Sequence, residues 1–177
     1  DDQNVTVNSA LGVSVADAKS IAADTSGTVT ATIASGTRVA SLTELRNPSG
    51  GVGTEETNAW TITIAGADAA LATAADLNTI DDATSVDVTS AAITALAASD
   101  LDDLSTLNDN VGNFSTLANI EAVTLTENGG SGNSNLDYST LKTLIDDYQG
   151  RNGDVAFTPD AGDTIIIDND SDELSAY

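Results

Sequence analysis

The sequence contains no cysteine, no histidine and no methionine. Without cysteine there is no disulfide framework, no thiolate nucleophile and no structural zinc site of the usual kind. Without histidine the commonest general base and the commonest transition-metal ligand are both missing. Aromatic residues amount to 3% of a chain that is 40% hydrophobic, so the core must be made of Val, Ile, Leu and Ala. Such a core suits many thin, similar layers. Only 5 residues are basic against 28 acidic ones, for a net charge of −23. Phosphate binding needs clustered Lys and Arg, so nucleic acid and anionic membrane surfaces are poor partners for this chain. No hydrophobic run is long enough to span a bilayer, no secretory signal is visible, and no membrane insertion is expected. The absence of an initiator Met and the start at Asp1 point to a segment of a longer chain.

What the sequence does have is an internal repeat. Residues 14 to 30 match residues 73 to 89 at one constant offset, through Ser14/Thr73, Ala16/Ala75, Asp17/Asp76, Ile21/Ile80, Thr25/Thr84, Ser26/Ser85, Val29/Val88 and Thr30/Thr89. Each copy opens on a hydroxyl residue with an Asp three positions later, the pattern of a helix N-cap with an acid facing the positive end of the helix dipole. Apolar residues follow at positions one, four and seven after the cap: Val15, Ala18 and Ile21, or Ala74, Leu77 and Ile80. They form one stripe on a short helix. A Thr-Ser pair and a β-branched run, Val29 to Ile33 or Val86 to Val88, then favour a strand.

The same stripe recurs at Val39, Leu42, Leu45; at Leu101, Leu104, Leu107 after Asp100; at Phe114, Leu117, Ile120 after Asn113; and at Tyr138, Leu141, Leu144 after Asp137. Strand-like runs stand at Trp60 to Ile64, Val123 to Leu125, Val155 to Phe157 and Ile165 to Ile167. Alternating short helices and strands imply parallel pairing. The expected fold is therefore α/β: short helix-strand repeats forming a parallel sheet or an α/β solenoid, with residues 1–177 as a single repeat-built domain.

With acids this abundant, hard divalent cations are the natural partners, calcium first. Asp168, Asp170, Asp172 and Glu173 have the alternating-carboxylate spacing of a calcium loop, although Ser171 and Glu173 occupy the turn where an EF-hand needs glycine. Asp81-Asp82, Asp102-Asp103 and Asp146-Asp147 are each expected to close a short helix, where paired acids oppose the helix dipole. Asp81 and Asp82 rank second as calcium candidates. Carboxylate pairs could serve a glycosidase, but acids this numerous pair by chance, and no nucleophile motif accompanies them. The chain is not expected to be an enzyme. Threonines alternate at Thr28, Thr30, Thr32 and at Thr61, Thr63, which would line one face of two strands.

Thr73 to Thr94, together with its partner Val13 to Ile33, resembles the tandem repeats of giant cell-surface proteins of cyanobacteria and marine proteobacteria, which often also carry haemolysin-type calcium repeats. The Gly-Gly-x-Gly-x-Asp nonapeptide of those calcium repeats is itself absent. The resemblance implies export without a cleaved N-terminal signal, a calcium-rich exterior and a role in adhesion, surface layers or filaments.

The expectation is thus an extracellular structural or adhesive module: a spacer or self-assembling unit whose partners are neighbouring copies or adjacent repeats of the same protein. The alternative is a ligand-binding module that takes surface glycans or ice on a Thr-rich strand face, with Thr, Asn and Trp60 clustered there.

Overall fold

A computed structural model of the chain describes residues 2–46, 58–65, 68–115, 117, 120, 122–125, 135–152, 156–159 and 164–166. Its elements run β1 (Val5–Val7), α1 (Val15–Ala23), β2 (Val29–Thr32), α2 (Val39–Leu42, continued by a 3-10 turn over Thr43–Arg46), β3 (Ala59–Thr61), a 3-10 turn (Ala69–Leu71) and α3 (Ala74–Asp81). There follow β4 (Val88–Thr89), β5 (Ala95–Ser99), α4 (Leu101–Asp109), β6 (Phe114–Ser115), β7 (Ala122–Leu125), β8 (Asn135–Asp137), α5 (Tyr138–Asn152), β9 (Ala156–Pro159) and β10 (Thr164–Ile166).

The fold is α/β, and every strand pair is parallel. The small sheets have the orders β1-β2-β3, β4-β6, β5-β7-β9 and β10-β8. The first two are joined where Thr63 pairs with Thr89, with Thr89 donating its N–H to the Ile62 carbonyl at 3.0 Å and Ile64 donating to the Thr89 carbonyl at 2.8 Å. One parallel ladder therefore passes through β1, β2, β3, β4 and β6 in chain order. The helices also pack in chain order, α1 and α3 on the turn that ends α2, then α3 on α4 and α4 on α5. Between the helix layer and the ladders lies one aliphatic core, in which Val29, Ile62, Ile64, Leu77, Ile80, Val88, Ile93, Leu96, Leu104 and Leu107 are all at most 1% exposed.

The two copies of the repeat do matching work. Ser14 caps α1, its hydroxyl accepting from the Asp17 N–H at 3.1 Å. Thr73 caps α3, accepting from the Asp76 N–H at 3.0 Å while the Asp76 carboxylate takes the Thr73 N–H, a reciprocal capping box. Further on, Thr25 donates its hydroxyl to the Gln3 carbonyl at 2.6 Å and accepts from the Gly27 N–H. Thr84 donates to the Trp60 carbonyl at 2.8 Å and accepts from the Val86 N–H. Both threonines are buried, so each satisfies main chain that water does not reach.

These bonds reach backward to the preceding unit, and others reach forward to the next. The Val29 N–H donates to the Asn58 side-chain oxygen at 3.0 Å, and the Val39 N–H at the start of α2 donates to Asp68 at 3.2 Å. The Ala74 N–H, one of the free donors of the first turn of α3, donates to the buried Ser99 hydroxyl at 2.8 Å. Arg38, which precedes α2, makes no side-chain cap of its own, and the Asp68 carboxylate supplies what it lacks. Close approach between units fixes two glycines. Gly12 has φ of 77°, and a Cβ there would lie 2.7 Å from Ala34 main chain; a Cβ at Gly27 would lie 2.5 Å from the Gln3 carbonyl.

Four sequence expectations need correction. Phe114, Leu117 and Ile120 are buried as the stripe requires, but Phe114 begins β6, because Asn113 ends a 3-10 turn and the next unit must pair with Val88. Asp102 and Asp103 do not close a helix. They sit in the first turn of α4, behind the Asp100 cap, where carboxylates favour the helix dipole. Asp146 and Asp147 lie inside the 15-residue α5, where Asp146 pairs with Lys142 at 2.6 Å one turn away, and Asp147 accepts from Asn108 of α4 at 3.0 Å. In α1 the buried stripe is Val15, Ala18 and Ala22, with Ile21 only partly covered.

Candidate functional site

The C-terminal end of α3 opens onto a cleft of about 320 Å³ that gathers the carboxylates of Asp81, Asp82 and Asp87 with the amides of Asn110 and Asn113. Asp81 and Asp82 are brought here because α3 ends on them, as their position after the Ile80 stripe requires. Asp87 arrives on the turn into β4, and Asn110 and Asn113 on the turn into β6 of the next unit.

The acids are not equivalent. Asp81 is 7% exposed, and its carboxylate accepts from the Asn113 amide at 3.0 Å. Burial pushes its pKa above the ordinary carboxylate value; the Asn113 hydrogen bond opposes that shift, and the charges of Asp82 and Asp87 reinforce it. Asp82 turns to Arg46 at 3.1 Å, which supplies the positive charge that the C-terminal end of α3 calls for. A second buried-side acid, Asp103, is shifted upward by burial and by its neighbours Asp100 and Asp102, against a lowering hydrogen bond from Asn78.

Among the described residues no three acidic side chains converge closely enough to hold a metal ion. Asp81 and Asp82 share the cleft but point to different protein partners. Asp168, Asp170, Asp172 and Glu173 lie outside the described residues. Among the described residues, no helix is long and apolar enough to cross a membrane.

The other surface with a regular chemistry is the outer face of the first ladder. Thr6, Thr30, Thr32, Thr61, Thr63, Thr89 and Ser115 are all exposed there. They align across strands as Thr6 with Thr30, Thr32 with Thr61, and Thr63 with Thr89 and then Ser115. Strand geometry fixes the spacing of such hydroxyls at about 4.8 Å between strands and about 6.6 Å along them. The sequence alone showed Thr28, Thr30, Thr32, Thr61 and Thr63, of which Thr28 is only partly exposed; Thr6, Thr89 and Ser115 become part of the face only once the pairing is known. Trp60 is not on it. Its ring is 1% exposed and packs inward, as alternation from the exposed Thr61 dictates.

The upward shift of Asp81 has a definite sign. The folded chain holds this proton more tightly than the unfolded chain does, so the contribution is full below pH 3.8 and is lost as pH rises through the raised folded value. Asp81→Asn, which keeps a side-chain acceptor for the Asn113 amide, is expected to raise the melting temperature at pH 7 and to leave it unchanged below pH 3.8. Thermal melts of the two proteins across pH 3 to 7 check this. A lower melting temperature for the variant at pH 7 would show that the ionised carboxylate is favourable there.

In comparisons with known proteins, no family model, no curated protein and no solved structure matches the chain.

Proposed function

We propose that this chain is an extracellular structural or adhesive module, a spacer or self-assembling unit of a bacterial surface layer, filament or giant adhesin, built as an α/β solenoid. The observation that carries this reading is the completion of each unit by the next. Backbone groups at Gln3, Val29, Val39, Trp60 and Ala74 are satisfied by side chains 22 to 29 residues away. An architecture whose units interact with their neighbours in this way can be lengthened by adding units, which suits a spacer. The acidic exterior, at a net charge of −23, favours solubility outside the cell and repels other polyanions. Calcium enters this reading only through the Asp168 to Glu173 run, since the Asp81 and Asp82 carboxylates turn to Asn113 and Arg46.

Immunogold labelling of intact cells with an antibody raised against this chain tests the reading. Label on the outer surface, on a layer or on extended filaments is the expected result. Label confined to the cell interior would overturn it.

A second reading is favoured by the exposed hydroxyl face. A rigid array repeating in two directions suits a ligand that also repeats in two directions, and ice is such a ligand. The burial of Trp60 takes away the aromatic platform on which a glycan reading leaned. If the face binds ice, the chain slows recrystallisation of a frozen sucrose film and a Thr30→Lys, Thr61→Lys variant does not. Equal crystal growth with and without the wild-type chain would dispose of this reading.

A further inference from the structure

Asparagine followed two residues later by serine or threonine, with anything but proline between, is the pattern that N-linked glycosylation reads in exported proteins. It occurs three times in this chain, at Asn4-Val5-Thr6, Asn113-Phe114-Ser115 and Asn169-Asp170-Ser171. The structure separates the first two, and the third lies outside the described residues. The Asn113 amide nitrogen donates to the Asp81 carboxylate at 3.0 Å in the cleft at the end of α3. Asn113 is thus occupied as a link between units.

Asn4 is arranged the other way round. Its side-chain oxygen accepts from the Thr28 N–H at 2.9 Å, so the amide is oriented through its oxygen, and its nitrogen has no partner among the described residues. Asn4 and Thr6 are both exposed, with Val5 between them half-covered and packed against the core. Alternation along an extended segment puts residues two apart on one face. The amide nitrogen and the hydroxyl that the pattern needs therefore stand together on the outer face of β1. That face looks away from the core, and a strand laid beside the edge of β1 would leave it open. Asp2 adds an exposed carboxylate two residues before Asn4, where the Ser26 hydroxyl donates to it at 3.2 Å. The corresponding residues before Asn113 and Asn169 are Val111 and Ile167, which offer no charge. A carboxylate at a fixed distance from the acceptor gives a cationic groove of a transferase a charge-assisted contact.

We propose that Asn4 is an N-glycosylation site, and that the co-substrate is an oligosaccharide carried on a polyprenyl diphosphate. The inference rests on the reading that the chain is exported, since such transfer takes place on the far side of a membrane. The Asn4 amide nitrogen forms a bond to the anomeric carbon of the first sugar as the bond from that carbon to the diphosphate oxygen breaks. The diphosphate leaves with the electron pair, and one amide proton passes to a base of the transferase. Asn113 is passed over in the folded chain because its nitrogen is held by Asp81.

Mass spectrometry of the chain isolated from the cells that make it, mapped peptide by peptide, tests this. The expected result is one oligosaccharide on the peptide that contains Asn4, with the Asn113 peptide unmodified. Asn4→Gln and Thr6→Val each abolish the addition at that peptide, Thr6→Ser keeps it, and Asn113→Gln leaves it unchanged. Because Asn4→Gln also alters the contact with Thr28, the two Thr6 variants give the cleaner comparison: both change an exposed side chain, and only Thr6→Ser keeps the hydroxyl. An unmodified Asn4 in chain recovered from the outer surface of the cell overturns the proposal and leaves the surface reading standing. Chain found only inside the cell, with Asn4 unmodified, overturns both. Sugar that persists on Thr6→Val, or that is carried by threonines alone, also overturns the assignment of Asn4.

Discussion

The structure depends on hydrogen bonds that run from a side chain of one unit to the main chain of its neighbour. Strands of two to five residues and helices mostly of four to nine cannot close their own accounts of donors and acceptors. A short helix leaves four N–H groups free at its start whatever its length, and here some are met from the next unit: Ala74 by Ser99, Val39 by Asp68. The buried hydroxyls of Thr25 and Thr84 do the reverse, reaching to carbonyls of the preceding unit. A satisfied bond of this kind contributes only about 1 kcal/mol, but a buried group left without its partner costs about 1–3 kcal/mol. Removing one partner while the other stays buried therefore costs more than the bond itself contributes. Adjacent units are held together by the hydrophobic core they share and by these cross-unit bonds, which leave few of its buried polar groups without a partner.

Charge works against this cohesion. With 28 acids and 5 bases, the chain repels itself, and the few cations are spent at particular points: Arg46 at Asp82, Lys19 at Glu44, Lys142 at Asp146. Asp17, Asp76, Asp102 and Asp103 are placed where the backbone favours them, in the first turns of α1, α3 and α4, whereas Asp24 and Asp109 stand at the C-terminal ends of α1 and α4. Asp81 is the acid that is buried at such an end, with an amide for a partner and a proton held more tightly than usual. The fold tolerates a large net charge by local placement, over a mostly aliphatic core that also takes in Trp60, Phe114 and Tyr148.

Much of the fold was legible because its periodicities are local. The caps at Ser14, Thr73 and Asp100 and the stripe at Leu101, Leu104 and Leu107 all stand as the spacing implied. The strands at Val29, Trp60, Val123 and Ile165 were marked by β-branched runs. What failed was context. Phe114, Leu117 and Ile120 have helical spacing, yet Phe114 is drawn into a strand by pairing with Val88, a partner 26 residues away that no local pattern reveals. β5, with the sequence Ala-Leu-Ala-Ala-Ser, carries no strand signal and exists because Ala72, β7 and the α3 cap from Ser99 hold it. The acidic cleft was half visible: Asp81 and Asp82 were apparent as a pair, whereas Asp87, Asn110 and Asn113 join them only through the stacking of units.

The central claim is that neighbouring units complete each other, and Thr84 is the place to test it. Its hydroxyl joins the Trp60 carbonyl of one unit to the Val86 N–H of the next, and valine has the same shape without the hydroxyl. Amide hydrogen exchange of Thr84→Val against the wild type is the most direct measurement. Completion by neighbours predicts lost protection in β3 and β4 together, with global stability lower by about 1–3 kcal/mol. Loss confined to the turn around Val86, with β3 as protected as before, would contradict it.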